Sequence, residues 1–377
     1  MDRLAPLVDR ALAHGGHPGG SHSSARILEA LTPCLRFGDV VLSSKGHDAA
    51  AFLAWDVARG ILPASALDTY RGVNGYPGHP ERGVTPGALV STGSLGMGLS
   101  KAVGLAYADR NRRVICLVGD GETQEGQVWE ALQNAARYTL GNLIVLLDHN
   151  GGQSDNRPLP MPNLLWPEGL FRAAGWAISI ADFDRVLDWP DMPGIPLCVL
   201  CHGTKTRPHA LSQRSALVEA YRKAIIGAMQ ADPALALLEA DLAYDHGLDG
   251  LAEQFPGRVL ACGISEQHMV SMAVGLAAAG RHPVCHTFER FFSRAAEQVL
   301  DALCEPGIVI RFVGGLAGAL PQGPGRSHEL PTEQRRALFP IQTYTPLTPE
   351  SVTACVASML RQPRSTYLRL LAQPELV

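Results

Sequence analysis

The apolar residues of this chain gather into short unbroken runs separated by longer stretches in which apolar and polar residues mix. Val114–Gly119 reads VICLVG and Leu143–His149 reads LIVLLDH, each closing on turn-forming or polar residues, with a helical stretch between them. A run with no polar face, bounded by turn signals, predicts a strand covered on both sides, as in a parallel sheet. Residues 40–43, 196–202, 283–288, 307–315, 342–347 and 366–371 predict further strands, and a strand within 258–266 leads to Glu266. Helices are predicted at 3–14, 23–31, 48–59, 215–230, 233–240 and 269–280, with another ending at Tyr107 and a helix plus a short strand within 171–187. Strands alternating with helices predict the α/β class. At 377 residues the chain exceeds one ordinary core. The expectation is therefore two doubly wound, mostly parallel-sheet domains, residues 1–214 and 215–377, the second including the linker helix.

Composition narrows the function. The net charge is −4 and 46% of residues are hydrophobic against 18% charged. This balance gives no electrostatic case for nucleic acid or an anionic membrane, and points to small molecules or protein subunits as partners. No run of eighteen apolar residues occurs and the amino terminus does not read as a signal peptide, so a soluble cytoplasmic protein is expected. The eight cysteines are expected as reduced thiols; Cys198 and Cys201 share a β-type run, which favours a buried strand over a metal or redox motif.

Candidate chemistry sits where the runs end. Parallel strands ending at Gly119 and Asp148 would bring Asp120 and Asn150 together at the carboxyl edge of a sheet, where ligands of such sheets collect. A carboxylate and an amide oxygen beside Gly119, Gly121, Gly151 and Gly152 suit a hard divalent cation carrying a diphosphate. Gly-Asp-Gly alone is a common turn. Glycine- and proline-rich loops present His17, His47 and His79, and Thr92–Gly98 (TGSLGMG) opens a helix whose N–H groups could face an anion or an aromatic ring, or whose glycines simply pack at the helix entry. In the second half a strand delivers Glu266 to the head of a small-residue helix, and Phe288 and Phe291 follow another strand. Taken locally, Glu266 could be a surface cap and the phenylalanines ordinary core.

The motifs GHPGGS (16–21), LSSKGH (42–47), YPGHPE (76–81), TGSLGMG (92–98), GDGETQEGQVWEA (119–131), GISEQHM (263–269) and TFERFFSRAAEQ (287–298) stand in the order found in the transketolase family of thiamine-diphosphate enzymes, which the chain resembles over nearly its whole length. The resemblance implies a diphosphate-binding first domain and a pyrimidine-binding second domain, in a compact form without the family's third, C-terminal domain. It implies that Asp120, Asn150 and the Gly152 carbonyl hold Mg²⁺ or Ca²⁺ against the diphosphate of thiamine diphosphate. Gly93, Leu95, Gly119, Gly121, Glu125 and His47 would line the cofactor, and Phe288 and Phe291 would form a slot for the aminopyrimidine. Glu266 would bond to the pyrimidine nitrogen that activates the cofactor. His17, His47, His79 and His328 would line the substrate channel, with His209 a further candidate. Glu125 and Glu130 match acidic residues that couple two sites of a dimer, or form a solvated helix face. Each cofactor would lie between the first domain of one subunit and the second of another, in a homodimer.

The implied activity is transfer of a two-carbon ketol unit from a ketose donor to an aldehyde-type acceptor, with an unusual or unphosphorylated substrate in a specialised pathway. Pro324 stands where the family carries a carboxylate and Thr345 where it carries an arginine; Arg290, Arg294 or Arg326 could replace the lost charge. Two alternatives stay open: a thiamine-dependent synthase or dehydrogenase component passing an acyl or glycolyl unit to a carrier protein, and a catalytically silent subunit retaining the fold.

Overall fold

The computed structural model describes residues 3–153, 167–182, 189, 192–203, 214–318 and 323–372. His209 lies outside the described residues. These divide into two compact units, the first holding the residues up to 203 together with 323–327, the second 214–318 and 328–372.

The first unit holds helices α1 (Ala5–Leu12), α2 (Pro18–Leu31), α3 (Ala49–Ala58), α4 (Met97–Ala108), α5 (Gly126–Arg137) and α6 (Glu168–Ala173), and strands β1 (Val40–Ser43), β2 (Val114–Gly119), β3 (Leu143–His149), β4 (Ala177–Asp182) and β5 (Leu197–His202). The strands form one sheet in the order β1-β2-β3-β5-β4, every neighbouring pair parallel. Because successive residues of a strand face opposite sides, the VICLVG run feeds two cores. Ile115 and Leu117 pack with α1, α2 and α3; Cys116 and Val118 pack with α4 and α5. The helix predicted from residue 23 already begins at Pro18, whose fixed φ suits the first helical position.

The second unit holds α7 (Ala216–Ala231), α8 (Leu251–Gln254), α9 (Glu266–Ala278), α10 (Ala296–Cys304), α11 (Thr332–Leu338) and α12 (Pro349–Arg361), with β6 (Leu235–Glu239), β7 (Val259–Ala261), β8 (His282–Phe288), β9 (Arg311–Ala317), β10 (Gln342–Tyr344) and β11 (Thr366–Leu371). Its sheet runs β10-β11-β9-β8-β6-β7, again all parallel. One face is covered by α7 and α12, the other by α9 and α10. The fold class expected from the alternation, α/β with two doubly wound parallel sheets, is what the two units show.

Two expectations are corrected. Residues 233–240 are not a helix: Leu235–Glu239 is strand β6, all five residues buried, paired on both sides by β7 and β8. Leucine, alanine and glutamate favour a helix locally, but a segment this short with no polar face is better satisfied inside a sheet. The strand expected at 307–315 starts only at Arg311, after a turn with Gly307 at φ +79°. Among the described residues, no helix is long and apolar enough to cross a membrane.

Leu117 is fully buried at the centre of β2. Leu117→Ala is expected to cost roughly 2–5 kcal/mol of unfolding free energy, read from urea denaturation.

Candidate active site

Register alone brings the first cluster together. Gly119 pairs with Asp148 across β2 and β3, so the chain leaves both strands at the same edge. Asp120 Oδ1 accepts from Gly121 N at 2.8 Å and Oδ2 from Gly151 N at 2.7 Å; Asn150 Oδ1 accepts from Gly152 N at 3.0 Å. Gly151 is at φ +71°, which a side chain would strain. Asp120 is 2% exposed, and burial, reinforced by Asp148, pushes its carboxyl up to about 7 against the pull of the two N–H donors and Lys45.

Beneath this edge lies a buried polar network that sequence reasoning did not single out. Lys45, just after β1, is 2% exposed and donates to Asp148 Oδ2 at 2.5 Å, with Asp48 Oδ2 at 3.7 Å. Ser23 Oγ donates to the same Asp148 oxygen at 2.6 Å, and Asn150 Nδ2 donates to Asp148 Oδ1 at 3.0 Å. Ser24 and Ser43 hold Asp48 at 2.7 and 2.5 Å. Glu122 accepts from Ser44 Oγ at 2.6 Å and from the backbone N–H groups of Gly96 and Gly119 at 2.7 and 3.0 Å. Burial pulls the Lys45 ammonium down, but Asp148 and Asp48 outweigh it, so its pKa is raised. Asp48, Asp120, Glu122 and Asp148 are thus gathered around one ammonium. The readable signal was a lysine directly after an apolar strand.

The donor set fits a divalent cation. Asp120 sits uncomfortably as a buried carboxyl in a site short of positive charge, bonded to the Gly151 N–H in the turn that also carries the Asn150 amide oxygen, and both oxygens are hard ligands. Among the described residues no group of three or more His, Cys, Asp or Glu side chains could hold a metal ion.

The histidines of the three loops converge. His17 lies 5.4 Å from His47 and 6.2 Å from His79, ring centre to ring centre. His79 is buried; its Nδ1 is 2.8 Å from the Pro324 carbonyl, so in the neutral ring that nitrogen carries the proton. Burial pushes its pKa down to about 4. Gly93, at φ +127°, admits this ring: a Cβ there would come within 2.9 Å of it. Leu95 is half-buried at the entry to α4, and Glu125 is buried while Glu130 is exposed on α5.

In the second unit Glu266 is the first residue of α9 and 2% exposed. Its Oε2 is buried without a hydrogen bond, Arg294 Nη1 standing 3.7 Å away. Burial pushes its carboxyl up to about 7. Phe288 and Phe291 pack 5.3 Å apart, centre to centre, with His328 6.0 and 5.0 Å from them.

Residues 8–178 match the family model described as "Transketolase, thiamine diphosphate binding domain", and 213–373 match "Transketolase, pyrimidine binding domain". The chain belongs to the transketolase family. Mouse transketolase is 30% identical over 393 residues, 81% of this chain and 62% of that enzyme, so the chain spans less than two thirds of that relative. The "6-deoxy-6-sulfo-D-fructose transketolase subunit SqwG" of Clostridium sp. is 35% identical over 182 residues, 44% of this chain and 66% of that subunit. Among solved structures, transketolase from Leishmania mexicana is 21% identical with a TM-score of 0.47, covering 99% of this chain and 76% of that one. The family's cofactor is thiamine diphosphate with a divalent metal ion, and both of its binding domains are present in this transketolase-family chain.

Two outcomes follow. Lys45→Met would leave Asp148 buried without its cation and is expected to cost roughly 3–5 kcal/mol in urea unfolding at pH 7. His79 stays neutral in the folded protein down to about pH 4, whereas the unfolded chain takes up a proton below 6.5. Its contribution to stability is complete above pH 6.5 and is lost as pH falls from 6.5 to about 4. His79→Gln should therefore flatten the fall in stability across that window, measured by urea unfolding at closely spaced pH values.

Proposed function

We propose that the protein is a thiamine-diphosphate-dependent transferase that moves a two-carbon ketol unit from a ketose donor to an aldehyde-type acceptor, as a homodimer with its active sites at the subunit interface. The observation that carries this reading is Glu266: a buried carboxyl at a helix start, one oxygen without a hydrogen bond, in the pyrimidine-binding domain. When bound, thiamine diphosphate supplies an acidic carbon that becomes a nucleophile toward carbonyl groups.

The chain's own residues would do the rest. Asp120, Asn150 and the Gly152 carbonyl would hold Mg²⁺ against the diphosphate. Phe288 and Phe291 would clamp the pyrimidine ring, and Glu266, its carboxyl pushed up to about 7 by burial, would share a proton with the ring nitrogen. His79, kept neutral, can pass protons to and from substrate hydroxyls, with His17 beside it and His47 next to His17. The resemblance to the sulfofructose transketolase subunit supports an unusual ketose, as do Pro324 and Thr345 at positions where the family grips phosphorylated sugars.

Calorimetric titration with thiamine diphosphate and Mg²⁺ should show binding, weakened at least about 100-fold in Asp120→Ala. Glu266→Gln should bind within about tenfold of the parent yet exchange the cofactor's acidic proton roughly 10²–10⁴ times more slowly, read by NMR after acid quench. Incubation with a panel of ketoses and an aldehyde should give a product lengthened by two carbons. Cofactor binding without any such product would defeat the ketol-transfer reading.

A further inference from the structure

Of the arginines that sequence reading offers to a substrate phosphate, Arg294 is committed elsewhere. It lies in the 3-10 turn Phe291–Ala295, three residues after the slot phenylalanine Phe291, and turns its guanidinium toward Glu266. The separation of 3.7 Å is too long for a hydrogen bond but short for two charges, and the side chains are only 10% and 3% exposed. We propose that Arg294 is a positioning residue that sets the protonation state of Glu266, reserving the carboxylate so that the acid form needed by the pyrimidine is reached only as that ion pair is given up. This inference rests on the role assigned to Glu266 above.

The physical argument is a balance. Burial in an apolar surrounding favours the neutral acid, whereas a permanently charged guanidinium at this range favours the carboxylate, as does the start of α9. The elements packed against α9 carry other titratable groups. Glu239 on β6 is engaged through Oε2 by the Leu242 N–H at 3.0 Å. On β8, His286 is held neutral between Tyr221 and the Leu238 carbonyl, the Cys285 thiol is pushed well up by burial, and His282 is exposed and paired with Asp232. Glu297, Asp301 and Cys304 on α10 and His268 on α9 are exposed. Cys262, before α9, is half-buried with its thiol pushed up to about 12, and so is neutral. Remove the guanidinium and only the start of α9 is left to oppose burial.

The test uses the full chain without cofactor. With glutamate labelled at the carboxyl carbon, the Glu266 signal is assigned by its loss in Glu266→Gln and followed through a pH titration. Arg294→Met is expected to raise its midpoint by at least one pH unit, and Arg294→Lys to bring it most of the way back. Arg294→Gln keeps a polar side chain in the same space and decides the matter should the methionine variant not fold. Unchanged midpoints in the neutral variants would overturn the proposal. In the protein loaded with thiamine diphosphate and Mg²⁺, the pH above which the cofactor's proton exchange falls off should move upward in the same variants. Were the loaded parent never to exchange that proton, the functional reading would fail, while the cofactor-free titration would still judge the ion pair.

Discussion

The first domain is arranged around one buried ion pair, Lys45 with Asp148. An ammonium withdrawn from water to 2% exposure is tolerable only with carboxylates in contact, and those carboxylates are tolerable only with the ammonium and the hydroxyls of Ser23, Ser24 and Ser43. The pair ties the end of β1 to the end of β3, which are not neighbours in the sheet, and so fixes the edge on which Asp120 and Asn150 meet. A well-packed apolar substitute could give as much stability. It could not leave an excess of carboxylate at a sheet edge, which is what makes a divalent cation welcome there.

The two carboxyl groups with most at stake reach a similar state by different routes. Asp120 and Glu266 are both pushed up to about 7. For Asp120, burial is aided by a second carboxylate, and two backbone N–H groups resist; the imbalance is one a metal ion can settle. For Glu266, burial dominates, and one carboxyl oxygen is left without a hydrogen bond. Composition alone does not separate these roles, since each is a single acidic residue near a helix start.

The strands that form both cores were legible because a run such as VICLVG has no polar face to offer water, and burial on both sides is its one stable use. The strand Leu235–Glu239 was not legible, because Leu-Ala-Leu-Leu-Glu carries helical propensity and what overrides it is pairing with β7 and β8, which lie elsewhere in the chain. At the site, Asp120 and Asn150 could be read from strand ends, and the approach of His17 to His47 and His79 from loops of one kind. The partner of Lys45 could not: Asp148 is 103 residues away, and a lysine after a strand does not announce which carboxylate will take it. Arg294 was read as a candidate phosphate ligand from its charge, whereas its direction, toward Glu266, depends on the short turn that carries it.

The hold on His79 has an implication for how this site can vary. The acceptor at position 324 is a main-chain oxygen, so the imidazole is oriented by an atom that every amino acid possesses. Substitution there can reshape the surroundings of the ring, in bulk or charge, without removing what orients it. The tautomer is thereby insulated from the side chain beside it.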